Sequence, residues 1–278
     1  MKRYLITADD YGFCEEVDRA IEDLADKGIL STTNVLMNFR RDFSDSPLIG
    51  RPDFSIGIHW NVTCGNPVSD IKDIPSLVTE DGSFLSLGEF RGRYRKGLIN
   101  PDELELELEN QYRLFRDAFG EPEYWNTHEN SSLYPKEFRV FEKVALKHNI
   151  RCTRNFQRVY IDYDNCKGAA RKLREFLVSS YVNIKFGIFE KRKFAMPDGR
   201  IVTFVNHSKT DIDRLRAGLG KPKKETVEVI IHPATSGDNP LFGNITSDRV
   251  DEYKCFMSDE FYELFQNSDS KIISFKDI

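Results

Sequence analysis

Two hydrophobic periods alternate along the chain, one near two residues and one near three to four. Residues 3–8 form a short, β-rich apolar run closed by charged residues, which predicts a buried strand. Glu15–Lys27 then places Val17, Ile21, Leu24 and Ala25 on one helical face, with Gly28 as its stop. Strands are expected at Thr32–Met37 and Phe54–Val62. The segment Gly65–Gly97 carries Pro67, Pro75, Gly82, Gly88 and Gly92 and reads as a long loop excursion, a feature that in α/β folds usually serves function. The best helix is Asp102–Phe119, with an apolar face of Leu104, Leu108, Phe115 and Phe119 between Pro101 and Gly120. Glu103, Glu105, Glu107 and Glu109 lie off that stripe and read as a solvated face, with acids near the positive helix end. Further strands are expected at Tyr124–His128, 150–154, Ile201–Val205, Val227–Ile231 and Lys271–Phe275, with helices at Glu137–His148 and 167–181. The stretch 183–200 suits a hairpin or an inserted loop. No repeat or linker divides the chain, so the expectation is one α/β domain over 1–278. Its architecture would be barrel-like, with seven or eight βα units in an irregular TIM-type barrel or partial barrel. An open doubly wound sheet is the alternative.

Composition narrows the function classes. The 278 residues carry 40 Lys+Arg against 45 Asp+Glu, a net charge of -5 that argues against a nucleic-acid-binding surface. No apolar run approaches the roughly 20 residues that span a bilayer, and the first residues lack the pattern of a signal peptide. The five cysteines are scattered and form no CxxC pair, which points to a reduced, cytoplasmic setting without cysteine-held zinc.

Active sites in parallel α/β folds gather at the carboxyl ends of strands. Polar residues at the expected strand ends are Asp9 and Asp10, His59 with Trp60 and Asn61, Asn126 to Asn130 around His128, Arg154, and His232. Of five histidines, three fall there; His148 ends a helix and reads as structural, and His207 is ambiguous. One carboxylate and two imidazoles make a three-ligand site for a divalent ion, with positions left for water and substrate. Side chains alternate along a strand, so Asp9 and Asp10 are expected to diverge, one to the metal and one to a metal-bound water. A further histidine across the site would protonate a leaving group. That inventory describes metal-assisted hydrolysis of an amide or ester. Alone, Asp-Asp-Tyr-Gly would read as a helix-capping turn. Motifs for a serine hydrolase, a zincin, a P-loop or a dinucleotide fold are missing. A paired-carboxylate glycosidase would leave the strand-end histidines without a role.

At these positions the sequence resembles the YdjC-like carbohydrate deacetylases, which include chitooligosaccharide deacetylases. The resemblance rests on Ile6–Gly12 (ITADDYG), Gly57–Thr63 (GIHWNVT), Asn126-Thr127-His128 and His232-Pro233-Ala234. It implies a (β/α)-barrel-like fold, a divalent metal ion (magnesium or zinc) and removal of an acetyl group from an N-acetylated amino sugar. It also implies that Asp10, His59 and His128 are the metal ligands, Asp9 the general base and His232 the general acid. Trp60, Asn61, Asn130 and Arg154 are the candidate substrate contacts. Trp60 either stacks on a sugar ring or packs in the core, and Arg154 is matched more weakly, a surface ion pair being its other reading. The family segment Asp-Ser-His-x-His is Asn126-Thr127-His128-Glu129-Asn130 here, so an acid and a second histidine are replaced. The expected partner is a small acetylated sugar, with neither nucleic acid nor membrane. A homodimer is the common assembly for such enzymes. The alternatives are hydrolysis of another amide or a phosphoester, and a non-catalytic sugar- or metal-binding relative.

Overall fold

The computed structural model describes residues 1–40, 42–157, 169–202, 212–220, 224–242, 246–266 and 269–278. His207, Cys166 and parts of the expected elements 167–181 and 201–205 lie outside the described residues. Among the described residues there are seven strands: β1 (Lys2–Tyr11), β2 (Thr32–Val35), β3 (Ser55–Trp60), β4 (Trp125–Thr127), β5 (Gly199–Val202), β6 (Thr226–Ile231) and β7 (Ser270–Ile272). Every pair among them is parallel, in the order β4-β3-β2-β1-β6-β5. The result is a half-barrel in an α/β domain. The side between β4 and β5 is spanned by residues 151–157 through single bridges, Trp125 to Thr153 and Cys152 to Ala195, and a hydrogen bond from Arg200 N to Gln157 O (2.8 Å). The expected strand at 150–154 is therefore reduced to bridges.

Strand β1 is the centre of the sheet. It pairs with β6 from Arg3 to Ala8, and its other edge is shared by β7 at Lys2–Tyr4 and β2 at Thr7–Tyr11. The chain end after β7 closes the amino-terminal mouth of the half-barrel. There Phe275 stacks on Tyr124 (3.7 Å between rings) in a small interior cluster with Leu5 and Ile273. Gly57 of β3 admits that tyrosine: a Cβ at this position would stand 2.4 Å from the Tyr124 ring.

Helices cover the outer face: α1 (Glu15–Asp26), α2 (Leu87–Arg95), α3 (Pro101–Phe119), α4 (Pro135–Lys147), α5 (Ala169–Ile184), α6 (Ile212–Gly220), α7 (Ser247–Met257) and α8 (Asp259–Gln266). Leu104, Leu108 and Phe115 of α3 are buried against the sheet as the periodicity predicts. Three features differ from the sequence reading. Glu107 and Glu109 are buried (0% and 6% exposed), not solvated. Glu107 accepts from the backbone N–H groups of Val68 and Ser69 (3.0 and 2.9 Å), and Glu109 pairs with Lys147 of α4 and with His148, which caps that helix. These acids serve as hydrogen-bond anchors for the 65–97 excursion and the next helix, a tertiary use invisible to periodicity. That excursion holds a helix of its own, α2, started by a Ser86/Glu89 capping box. Finally, 183–200 forms no hairpin: α5 runs on into π- and 3-10-helical turns up to Arg192. Among the described residues no helix is long and apolar enough to cross a membrane.

Candidate active site

Asp9 and Asp10 come from the end of β1, His59 from β3, His128 from the residue after β4, and His232 from the residue after β6. All five line one cavity of about 480 Å³ at the carboxyl end of the half-barrel. Strand alternation alone would send the two aspartates to opposite faces. The structure corrects that expectation through a one-residue bulge: Ala8 pairs with Thr33 but Tyr11 with Val35, and Asp10 takes a left-handed φ of 78°. A bulge re-aims side chains, and aspartate tolerates this backbone better than most residues. Both acids therefore face the same space.

Among the described residues, Asp10, His59 and His128 form a group able to hold a metal ion, with ligand atoms all within 4.8 Å of one another. Asp10 Oδ1 lies 3.0 Å from His128 Nδ1 and 3.4 Å from His59 Nε2. The donor set fits a divalent ion: one buried carboxylate converges with two imidazoles. Burial opposes a charge on His128, but the Asp10 carboxylate and its hydrogen bond raise it above the usual imidazole range. Metal binding would require this imidazole to be unprotonated at the ligating nitrogen. Desolvation also opposes the charge on Asp10, yet His128, His59 and Arg249 hold it well below the usual carboxylate range.

Asp9 belongs to a second network. Arg154, 3% exposed, donates from Nη1 to Asp9 Oδ2 (2.7 Å) and from Nη2 to Asp9 Oδ1 (2.6 Å). The same guanidinium binds both oxygens of Glu228 on β6, at 2.9 to 3.2 Å. Desolvation pushes Asp9 up, but Arg154, with His59 and His232, keeps it below the ordinary carboxylate range. His232 Nε2 stands 3.6 Å from Asp9 Oδ2, and burial pushes this imidazole down to about 4 despite Asp9 and Asp10.

Asn126 links the two networks. With its amide nitrogen toward His59 Nδ1, its oxygen accepts from Arg154 Nη2 (3.1 Å) and Asn34 Nδ2 (3.0 Å). That arrangement puts the His59 proton on Nε2. Metal ligation through Nε2 would require the other tautomer, with His59 Nδ1–H donating to the Asn126 side-chain oxygen.

The remaining sequence candidates divide. Asn130 lines the cavity in a left-handed conformation (φ 54°), beside Glu129 at φ 52°. Arg91 Nη2 donates to the Asn130 carbonyl (2.8 Å) and Arg200 Nη1 to its side-chain oxygen (3.0 Å), which fixes the turn behind His128. Arg154 lines the cavity but its guanidinium is committed to Asp9 and Glu228, so it is neither a surface ion pair nor a free substrate contact. Trp60 is a correction. It follows inward-facing His59, so alternation turns it to the helix layer. There it is fully buried, donates to the Leu108 carbonyl (3.1 Å) and packs on Trp125 and Phe141. Asn61 is a second correction: it is buried outside the cavity lining and organises its own loop through Asn38, Thr63 and Cys64. Strand-end reasoning missed Glu228, Arg200 and Arg249. Glu228 left a signal, an acid in the middle of the apolar run TVEVII.

A family profile described as YdjC-like protein matches residues 3–267. The chain belongs to the YdjC family. Curated relatives include a carbohydrate deacetylase of Xenopus laevis, 29% identical over 55% of this chain and 50% of that protein. A chitooligosaccharide deacetylase of Escherichia fergusonii is 27% identical over 59% of this chain and 64% of its own length. The chain spans about half the length of the first curated relatives it matches. In fold, it is similar over 99% of its length to a solved protein of Enterococcus faecalis V583 named for cellobiose-phosphate cleavage, with TM-score 0.75 and 20% identity over 98% of that chain. At that identity the likeness speaks for the fold alone.

Proposed function

We propose that this YdjC-family chain hydrolyses the N-acetyl group of an amino sugar or chitooligosaccharide with a divalent cation held by Asp10, His59 and His128. The observation that carries this reading is the convergence of those three donors beside Asp9 and His232 in one cavity. The relatives' names support the substrate class. Two imidazoles in the donor set favour zinc over magnesium, which prefers oxygen ligands. When bound, such a cation polarises the amide carbonyl and acidifies a water.

The chain's own groups supply the rest. Asp9 receives the water's proton; Arg154 fixes its rotamer through both oxygens and keeps it ionised and ready. Burial holds His232 low, at about 4, which favours its neutral form at pH 7. It must therefore gain a proton before it acts as an acid, and Asp9 Oδ2 at 3.6 Å is the nearby source. From Nε2 it then delivers that proton to the departing amine. The test is Asp9→Asn with a metal assay alongside. Metal content should stay at the wild-type level while acetate release falls about 100- to 10,000-fold, the usual weight of a general base. Acetate release near the wild-type rate would overturn the role of Asp9.

A further inference from the structure

Arg249 stands in the first turn of α7, more than two hundred residues from the aspartates it meets. Its side chain is 7% exposed and lies against the rings of Phe13 and Phe242, 5.7 and 5.0 Å from their centroids. Nη2 donates to Asp10 Oδ2 at 2.8 Å, and Nη1 donates to the His232 carbonyl at 3.4 Å. Buried Nε finds no acceptor among the described residues. A guanidinium that leaves one N–H unpaired is not placed to satisfy itself. What the placement does is divide the Asp10 carboxylate: Oδ2 is taken by Arg249, and Oδ1 alone faces His59 and His128.

We propose that Arg249 is a positioning residue that restricts Asp10 to one-oxygen ligation and ties the end of β1 to the backbone at His232. The inference rests on the metal site proposed above. It adds a role that strand-end motifs do not supply. Holding Asp10 to a single donor oxygen keeps a coordination position open for water and substrate, the feature that separates catalytic from closed sites. Charge alone predicts the opposite sign. A guanidinium beside the ligand repels an incoming cation, so its removal should tighten binding if orientation did not matter.

The experiment compares wild type, Arg249→Met and Arg249→Lys after chelator treatment and dialysis. Zinc affinity is read by competition with a chromophoric chelator, and the coordination by the visible spectrum of the cobalt(II)-loaded protein. Thermal melts check that each variant is folded. Arg249→Met should bind zinc about 10- to 100-fold more weakly, the usual effect of losing a partner behind a ligand. Its cobalt spectrum should shift to the weaker bands of higher coordination as Asp10 offers its second oxygen. Arg249→Lys, with a single donor point, should recover part of the affinity. A folded Arg249→Met that binds zinc as tightly as wild type, or more tightly, with an unchanged cobalt spectrum overturns the proposal. If Arg249→Met does not fold, wild-type affinity and spectrum in Arg249→Lys overturn the need for the two-pronged contact. Wild-type protein that binds no metal refutes the metal site itself, and this inference with it; a wild type that binds while the variants match it refutes this inference alone.

Discussion

Arg154→Met removes the cation shared by two buried acids. In the native protein Arg154 makes two hydrogen bonds to Asp9 and three to Glu228, besides its contact with Asn126, and the acids are 4% and 0% exposed. Asp9 keeps a contact from Asn34 (2.6 Å) when the arginine goes, whereas Glu228 loses every partner named here. Removing one partner of a buried pair costs about 3–5 kcal/mol, and two stranded carboxylates place this variant at the upper end. In a chain of this size each kcal/mol moves the melting midpoint by roughly 2–4 °C, so a fall of about 10–20 °C is expected. The pH dependence has a definite sign. Wild-type Asp9 is held below its ordinary value, so its stabilisation is present above the unfolded carboxylate pKa and is lost as pH falls through the folded value. In the variant Asp9 moves up, because its burial is no longer offset by Arg154. The variant then regains protons, and its deficit against wild type should shrink as pH drops from 8 to 5. Arg154→Met/Glu228→Leu should recover part of the loss, since only one acid remains stranded. Urea unfolding at both pH values measures all of this. A single-variant cost below about 1 kcal/mol, the range of an exposed pair, would refute the buried network.

Two further predictions follow from the same reasoning. Asn126→Asp replaces an amide, which presents either its nitrogen or its oxygen to His59 Nδ1, with a carboxylate that always accepts, so zinc affinity should rise about 10-fold; weaker binding in the competition assay would count against the tautomer argument. Glu107→Ala leaves the Val68 and Ser69 N–H groups without their acceptor. It should cost about 1–3 kcal/mol and speed hydrogen exchange at those two amides, whereas native-like protection there would show that another group anchors the excursion.

Much of the site was legible because barrel chemistry sits where strands end, and a strand end can be read from local pattern. Asp10, His59, His128 and His232 were found in that way. One expectation failed because a local rule reached too far, and another because the same rule was left unused. Alternation separates Asp9 from Asp10 until a bulge, fixed by pairing with β2, turns both inward. The same alternation, applied to His59 and Trp60, would have assigned the tryptophan to the core. Glu107 and Arg249 depend on which distant segments meet, Glu107 with the 65–97 excursion and Arg249 with β1. Neither leaves a trace in the periodicity of its own helix.

The proposed site of Asp10, His59 and His128 would make the chain a metal-dependent deacetylase. The direct measurement is acetate release from N-acetylated glucosamine oligomers by chelator-treated protein, with and without restored zinc, cobalt, manganese or magnesium, repeated on His59→Ala. Acetate is expected from the metal-restored wild type, strongest with zinc or cobalt, and close to none from the stripped protein or from His59→Ala. Equal release by stripped and restored protein, or none under any condition, would contradict it.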